Sequence, residues 1–229
     1  MAGSPGDDET WIPACLPGPG SPARWPWLQG LARQPVLPLE PWLLALEAGA
    51  VEPQSDLLAV LAPRLDGGSA ARLLGFWIRE AAEGTEPAGL LELVGRIRDP
   101  LCAALLRRQL SAQDSLAITC ALLPLLGHQR DPADFPLLRR LVVEPGPARL
   151  REAALEGLAV GLSVWPQGEL VDALELLALD LDPGLAAKAV DLLARLPQGP
   201  AALDRLALRC LEPSVRRRLE RRLQGWRAS

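Results

Sequence analysis

The sequence predicts an all-α chain, a right-handed α-solenoid of stacked antiparallel helix pairs that follows an irregular N-terminal arm. Composition is the first reason: Leu and Ala dominate the 229 residues, aromatic residues make up only 4%, and Tyr is absent. Such a composition favours helix over strand. Repetition is the second reason, because short apolar patterns with helical spacing recur from residue 41 onward, separated by turns of acid and proline or of glycine.

The arm comprises residues 1–40, where Pro and Gly are frequent, so we expect no regular structure before about residue 41. It nevertheless contains Trp11, Trp25 and Trp27. One interpretation is that the arm lays these indoles over the first helices and covers an exposed end. The alternative is a docking segment in which Trp25 and Trp27 bind a partner, because tryptophan offers a large contact area at low entropic cost.

The repeat domain is expected to span residues 41–229, and its first part reads as a series of helices bounded by Pro, Gly and small polar residues. Pro124 is expected to kink or shorten the last turn of the final helix in this part. The expected helices are 41–49, 53–65, 69–84, 87–98, 100–110 and 111–127.

The stretch 135–162 predicts two helices on either side of the turn "EPGP". Apolar residues follow one ridge of each helix, while Arg139 and Arg140 face outward. Ala153, Gly157 and Gly161 leave one side of the second helix thin, so a neighbouring helix can approach closely. Because both helices are apolar on more than one side, they need neighbours on both flanks.

The same plan recurs in residues 169–197 and 200–225. Its turns carry Glu144, Asp182 and Glu212, which are 38 and 30 residues apart, close to the period of two-helix repeats. An acid before Pro can cap the next helix and meet the positive end of its dipole. The apolar face of the first helix in 169–197 is expected to contain Leu170, Ala173, Leu174, Leu177 and Leu181.

The segments "FPLLRRLVVEPGPARLREAALEGL" and "LVDALELLALDLDPGLAAKAVDLLARL" resemble repeats of the HEAT (armadillo-like) family. The segment "LLPLLGHQRDPADFPLLRRL" is similar to the linkage found in HEAT proteins related to phycobilin lyases. The family resemblance implies an α-solenoid. The similarity to the lyase-related subgroup implies an accessory factor for phycobiliprotein chromophore attachment or antenna assembly, with a bilin as ligand.

Charge and cysteine content narrow the classes of function. The net charge of −4 argues against the broad basic face that HEAT-like nucleic-acid-binding proteins need. The N-terminal residues lack the apolar core of a signal peptide, and no segment has about 18 consecutive apolar residues. The four cysteines form no C-x-x-C pair, which is typical of reduced, buried thiols. We therefore expect a cytoplasmic protein without a membrane segment.

The search for chemistry yields no expected catalytic, cofactor-binding or metal residue. His128 is the sole histidine, and we interpret it as a helix-end or loop residue, with acid–base catalysis by His128 and Asp131 as the alternative. Asp180 and Asp182 resemble paired carboxylates, but Asp182 is better placed to cap a helix. No phosphate-binding glycine loop or nucleophile elbow occurs.

Four further residues suggest reactivity or ligand stacking but are better explained by packing. Cys102 and Cys120 lie among Leu and Ala, where small buried thiols are common. A reactive thiol needs a nearby cation, and neither helical face offers an obvious one. Trp77 and Trp165 stand in apolar helical contexts, so packing is favoured over stacking on a cofactor.

The C-terminal helix is the strongest electrostatic feature. Residues 213–229 contain six arginines and one glutamate, a net charge of +5 in a chain whose total is −4. This basic face is either the solvent-exposed outer side of a terminal helix or a binding surface for an acidic partner. The leading hypothesis is a non-catalytic scaffold or adaptor that binds another protein through its curved surface and this helix. The candidate partner-binding arginines are Arg216, Arg217, Arg218, Arg221 and Arg222.

Overall fold

The protein is described by a computed structural model that covers residues 11–87, 89–97, 99–210 and 212–227, with side chains described up to residue 225. Thirteen α-helices and short 3-10 turns make up the regular structure of these residues, and no strand occurs among them. The all-α prediction is therefore confirmed. The first ten residues of the predicted arm lie outside the described ranges.

The helices fall into two compact units, one ending at Ser111 and the other beginning at Ala112. The helices that lie in the first unit, the last of which runs one residue past its end, are α1 (Arg24–Arg33), α2 (Leu39–Glu47), α3 (Ser55–Leu61), α4 (Gly67–Ala82), α5 (Leu90–Arg96) and α6 (Pro100–Ala112). The second unit contains α7 (Leu116–Gln129), α8 (Phe135–Val143), α9 (Ala148–Val160), α10 (Gln167–Leu177), α11 (Pro183–Leu193), α12 (Gly199–Ala207) and α13 (Pro213–Arg227).

The expectation of an irregular arm up to residue 40 is wrong for residues 24–33, which form α1. Four Pro and Gly residues precede this helix within six positions, and they obscured an apolar stripe in which Leu28 and Leu31 are buried. The Arg24 guanidinium also anchors the helix, because its Nε donates to Asp56 of α3 at 2.6 Å. A tertiary ion pair thus stabilises a segment whose composition suggested a coil.

The first unit combines contacts between helices two places apart in the chain with a contact between the consecutive helices α4 and α5. α3 contacts α1 and α5, and α4 contacts α2 and α5. Arg72 of α4 reinforces the contact with α2, because its guanidinium donates to Glu40 and Glu47. Repeated contacts of this kind produce sequential packing, with each helix lying near its neighbours in the chain.

The second unit follows the same rule more regularly. α8 contacts α9, α10 contacts α11, and α12 contacts α13, so the predicted helix pairs 135–162, 169–197 and 200–225 are confirmed as pairs. The first helices of successive pairs contact each other, as do the second helices, giving the rows α8–α10–α12 and α9–α11–α13.

Ion pairs join the helices within these two rows. Each ion pair links a helix to the corresponding helix of the next helix pair, and its two residues are 27 to 36 positions apart in the sequence. The four bonds are Arg139–Glu169, Glu152–Lys188, Glu175–Arg205 and Asp191–Arg218.

Small residues bring α7 and α9 together, as the sequence predicts for one side of α9. A Cβ added to Gly127 would lie 2.0 Å from the backbone oxygen of Gly157. A Cβ on Gly157 would in turn lie 3.0 Å from the backbone oxygen of Leu123. The two backbones therefore meet where neither helix carries a side chain.

The predicted caps are confirmed at two of the three turns. Asp182 Oδ1 accepts hydrogen bonds from the backbone N–H groups of Gly184 and Leu185 at 2.8 and 3.2 Å. Glu212 Oε1 accepts one from the Ser214 N–H at 3.2 Å. Glu144 does not cap α9; it ends α8 instead, where its own N–H donates to a carbonyl.

Several helix boundaries differ from the prediction. α6 extends to Ala112 and α7 begins at Leu116, where the Ser115 side chain caps it, so 111–127 is not one helix. α7 also continues past Gly127 to Gln129 with Pro124 inside it. Leu181, expected on the apolar face of α10, lies beyond the end of that helix and is fully exposed.

Candidate partner-binding surface

Helix α13 separates an apolar side from a basic side. Val215, Leu219 and Leu223 follow one another at steps of four residues and are buried. These side chains dock α13 onto α11 and α12. The arginines between them are left on the outer side of the helix, so the spacing of the sequence itself produces a basic surface.

Three of the five predicted arginines are bound to carboxylates. Asp191 of α11 accepts hydrogen bonds from both Arg218 and Arg222, with Arg222 Nη2 at 2.8 Å from Oδ1. Arg216 forms an ion pair with Glu220, one turn further along α13, at 3.4 Å. These contacts hold α13 in place and neutralise part of its charge.

Asp191 lies on the side of α11 that faces α13, where it is partly buried. Burial raises the pKa of its carboxyl, but the hydrogen bonds from Arg218 and Arg222 outweigh burial and hold the pKa below its usual value. Asp191 is therefore ionised at neutral pH and acts as a fixed anchor for both guanidinium groups.

Arg217 and Arg221 differ from the other three, because no carboxylate of the described residues pairs with them. Arg217 Nε donates only to the carbonyl of Pro213 in its own helix, at 3.3 Å. Both side chains are exposed and line a groove of about 720 Å³ between α13 and the first turns of α11. Pro183, Gly184 and Ala187 form the α11 side of this groove. We call it the basic groove.

Sequence reasoning identified the arginines of the basic groove but missed its other wall and its anchor. Gly184 and Ala187 are small residues one turn apart at the start of α11 and 30 or more positions before Arg217. Asp191 precedes Arg218 by 27 residues and Arg222 by 31. The signal that was available is the repeat period, because residues about one period apart lie on adjacent helices of a row.

The two tryptophans that were candidate partner-binding residues have different environments. Trp27 lies between Trp11 and Trp42, with ring centroids at 5.4 and 6.1 Å. The buried Trp42 donates its Nε1–H to the carbonyl of Trp11 at 3.0 Å, which fixes this tryptophan cluster. Trp27 of α1 thus packs against Trp42 of α2, whereas Trp25 is 61% exposed.

The residues considered for catalysis lie in a helix, cap a helical turn or form an ion pair. His128, expected after the end of a helix, is half-buried in the last turn of α7. Asp131 caps the 3-10 turn that follows, accepting from the Ala133 N–H at 3.0 Å. Asp180 and Asp182 are not a carboxylate pair, because Asp182 caps α11 while Asp180 binds the Arg151 guanidinium.

The cysteines are free thiols. Cys102 and Cys210 are buried, as expected, and Cys120 is half-buried; Cys15 is exposed, so the expectation of buried thiols is wrong there. Burial raises the pKa of Cys102 to about 11, and the nearby Asp99 adds to the effect. Burial also raises the pKa of Cys120 and outweighs the opposing effect of Arg149, a cation that sequence reasoning did not find.

The two aromatic residues assigned to packing are buried. Trp77 and Trp165 are 3% and 2% exposed. The Trp165 Nε1–H donates to the carbonyl of Leu158 at 2.9 Å, and its ring lies 6.0 Å from that of Phe135. Packing is therefore confirmed for both tryptophans.

Within the described ranges, no cluster of three His, Cys, Asp or Glu side chains is arranged to hold a metal ion. None of the described helices has the length and apolar character that a membrane crossing requires. Comparison of the chain with protein-family models, with curated proteins and with solved structures finds no match.

Proposed function

We propose that this chain is a non-catalytic, HEAT-like α-solenoid that binds an acidic segment of another protein in the basic groove of α13. The solenoid is supported by the rows α8–α10–α12 and α9–α11–α13, in which every helix contacts the corresponding helix of the next pair. Such a stack offers extended surfaces for binding.

The observation that carries the proposal is the contrast between the arginines of α13. Arg218 and Arg222 share the carboxylate of Asp191, whereas Arg217 and Arg221 face the basic groove without a carboxylate partner among the described side chains. Arg217 and Arg221 are four residues apart and lie on one side of the helix. They can therefore bind two carboxylates presented by one segment of a partner.

The opposite wall suits the approach of a polypeptide. Gly184 and Ala187 have little or no side chain, so a partner backbone can come close to α11. An acidic peptide fits the groove better than duplex nucleic acid, because the chain as a whole has a net charge of −4.

Fluorescence anisotropy with a fluorescein-labelled, Glu-rich peptide tests the proposal. The double variant Arg217→Ala/Arg221→Ala should weaken binding by about tenfold or more, since two charge-assisted contacts are lost. Binding to the unaltered protein should also weaken as salt is added, because the contacts are exposed.

The matched control is Arg139→Ala/Arg140→Ala, which removes two exposed arginines from α8 in the same unit. Its affinity for the peptide should change by less than about twofold. Equal losses in the two double variants would show that the peptide responds only to total charge, and the proposal would then be rejected.

A further inference from the structure

A second groove lies at the other end of α11, away from the basic groove. It has a volume of about 550 Å³ and is lined by residues at or beyond the C-terminal ends of α7, α9 and α11, together with the start of α10. Val160, Leu162, Leu196 and Pro197 give it apolar walls. This volume lies in the range of small-molecule sites. We call it the C-terminal groove.

Two arginines, Arg130 and Arg195, line the C-terminal groove, and none of its lining residues is acidic. Both side chains belong to exposed residues, and neither guanidinium has a hydrogen bond or ion pair with the described part of the chain. The groove therefore combines apolar walls with two cations that are available to a ligand.

The backbone at Arg130 is unusual. Its φ of 56° places it in the left-handed region, and it is the one non-glycine residue with positive φ among the described positions. Glycine or asparagine usually fills such a position after a helix, because a larger side chain strains the backbone there. Residues with a strained backbone of this kind cluster at binding sites, where the side chain contacts a ligand.

The charge of the groove favours a ligand with a single negative charge. Arg130 follows directly on the end of α7, and Arg195 lies two residues beyond the end of α11. Each helix C-terminus contributes about −0.5 of an elementary charge. The ends of α7, α9 and α11 together offset about 1.5 charges and the start of α10 returns about +0.5, so the two arginines leave a local charge of about +1.

We propose that the C-terminal groove binds a small organic monoanion with an apolar body, a carboxylate attached to an alkyl chain. The guanidinium groups of Arg130 and Arg195 hold the carboxylate, and the chain packs against Val160, Leu162 and Leu196. This site is separate from the basic groove and does not depend on the function proposed for it.

Isothermal titration calorimetry of the full chain with octanoate tests the site, with octanamide as the neutral ligand of the same shape. Octanoate should bind at least about tenfold more tightly than octanamide, because only the carboxylate forms charge-assisted hydrogen bonds. Equal affinities for the two ligands, or no octanoate binding at all, would overturn the proposal.

The variant Arg130→Gly separates binding from folding. Glycine adopts positive φ without strain, so this variant should keep or raise the Tm while octanoate affinity falls about tenfold. Arg195→Gln should weaken octanoate binding to a similar extent. If both variants bind octanoate as the unaltered protein does, the arginines are not its ligands and the site is disproved.

The variant Arg217→Ala/Arg221→Ala distinguishes the two proposals. It should bind octanoate as tightly as the unaltered protein, because its substitutions lie in the basic groove. Loss of octanoate binding in this variant would show that octanoate binds α13, and would refute the site at the C-terminal groove whatever the acidic peptide does.

Discussion

The contact of Gly127 with Gly157 shows how one absent side chain sets the distance between two helices. The Cβ position of Gly127 is occupied by the Gly157 carbonyl, so α7 and α9 approach as closely as backbones allow. The backbone of α9 cannot move away cheaply, because Ala154, Leu155 and Leu158 bury it against its other neighbours.

Gly127→Ala is therefore expected to be strongly destabilising. The new methyl group would overlap backbone atoms, so the free energy of unfolding should fall by about 3 kcal/mol. Urea unfolding followed by circular dichroism measures this change. Gly168→Ala in the first turn of α10 is the control, because its Cβ meets nothing within 4 Å and should change stability by less than about 1 kcal/mol. Similar losses in both variants would contradict the close-contact explanation.

Trp27 and Trp25 provide a second comparison at the residue scale. Trp27→Ala removes the central ring of the tryptophan cluster and should lower the free energy of unfolding by about 2 kcal/mol. Trp25→Ala should change it by less than about 0.5 kcal/mol, because the side chain is 61% exposed. Thermal unfolding monitored by circular dichroism compares them, and an equal effect would mean that the cluster does not stabilise the first unit.

At the scale of elements, single ion pairs tie one helix pair to the next. Arg151 of α9 donates Nε to the Val142 carbonyl at 3.1 Å and binds Asp180 beyond the end of α10 through its other nitrogens. The hydrogen bond from Arg151 holds the pKa of the Asp180 carboxyl below its usual value, although burial opposes the shift.

This lowered pKa predicts a pH-dependent effect of Asp180→Asn. Asp180 takes up a proton more readily in the unfolded chain, so its contribution to stability is present above the unfolded pKa of about 3.9 and is lost as pH falls through the lower folded value. At neutral pH the variant should be less stable by about 2 kcal/mol. Unfolding titrations from neutral to acidic pH should show this difference shrinking below about pH 4. A difference independent of pH would rule out the ionised contact as its cause.

Asp191 offers a test of α13 in which one substitution acts oppositely on stability and binding. Asp191→Asn releases Arg218 and Arg222 from their carboxylate, and stability should fall by no more than about 1 kcal/mol because both arginines are well exposed. The freed charge should tighten binding of the Glu-rich peptide by about threefold or more. Anisotropy and thermal unfolding measure the two effects. Weaker peptide binding in the folded variant would contradict the role assigned to the basic groove.

At the scale of the molecule, the second unit contains the regular helix pairs and both grooves. Residues 113–115 connect α6 to α7, and two of the three are exposed. A fragment of residues 113–229 should therefore fold by itself, with helical circular dichroism and a cooperative thermal transition. A fragment of residues 135–229 should lose that cooperativity, because it lacks α7 and its close contact with α9. A gradual, non-cooperative transition in the longer fragment would refute the prediction.

Local chemistry predicted the helix pairs, the Asp182 cap and the basic side of α13, because a cap or a stripe is encoded within a few neighbouring residues. Features that depend on distant residues were missed. α1 depends on the Arg24–Asp56 ion pair, and the basic groove requires Asp191 and Gly184 from the preceding pair. Whether the helix pairs form a right-handed solenoid, and what they bind, stay predictions.

The ion pairs between successive helices have a consequence for how the chain assembles. α8 presents Arg139 to an acid of α10, and α12 presents Arg205 to another acid of α10. A folding intermediate in which α8 packed directly on α12 would bring Arg139 against Arg205, and like charges repel. In the row α8–α10–α12 the acids of α10 therefore favour the native order of the helices and penalise an order that omits α10.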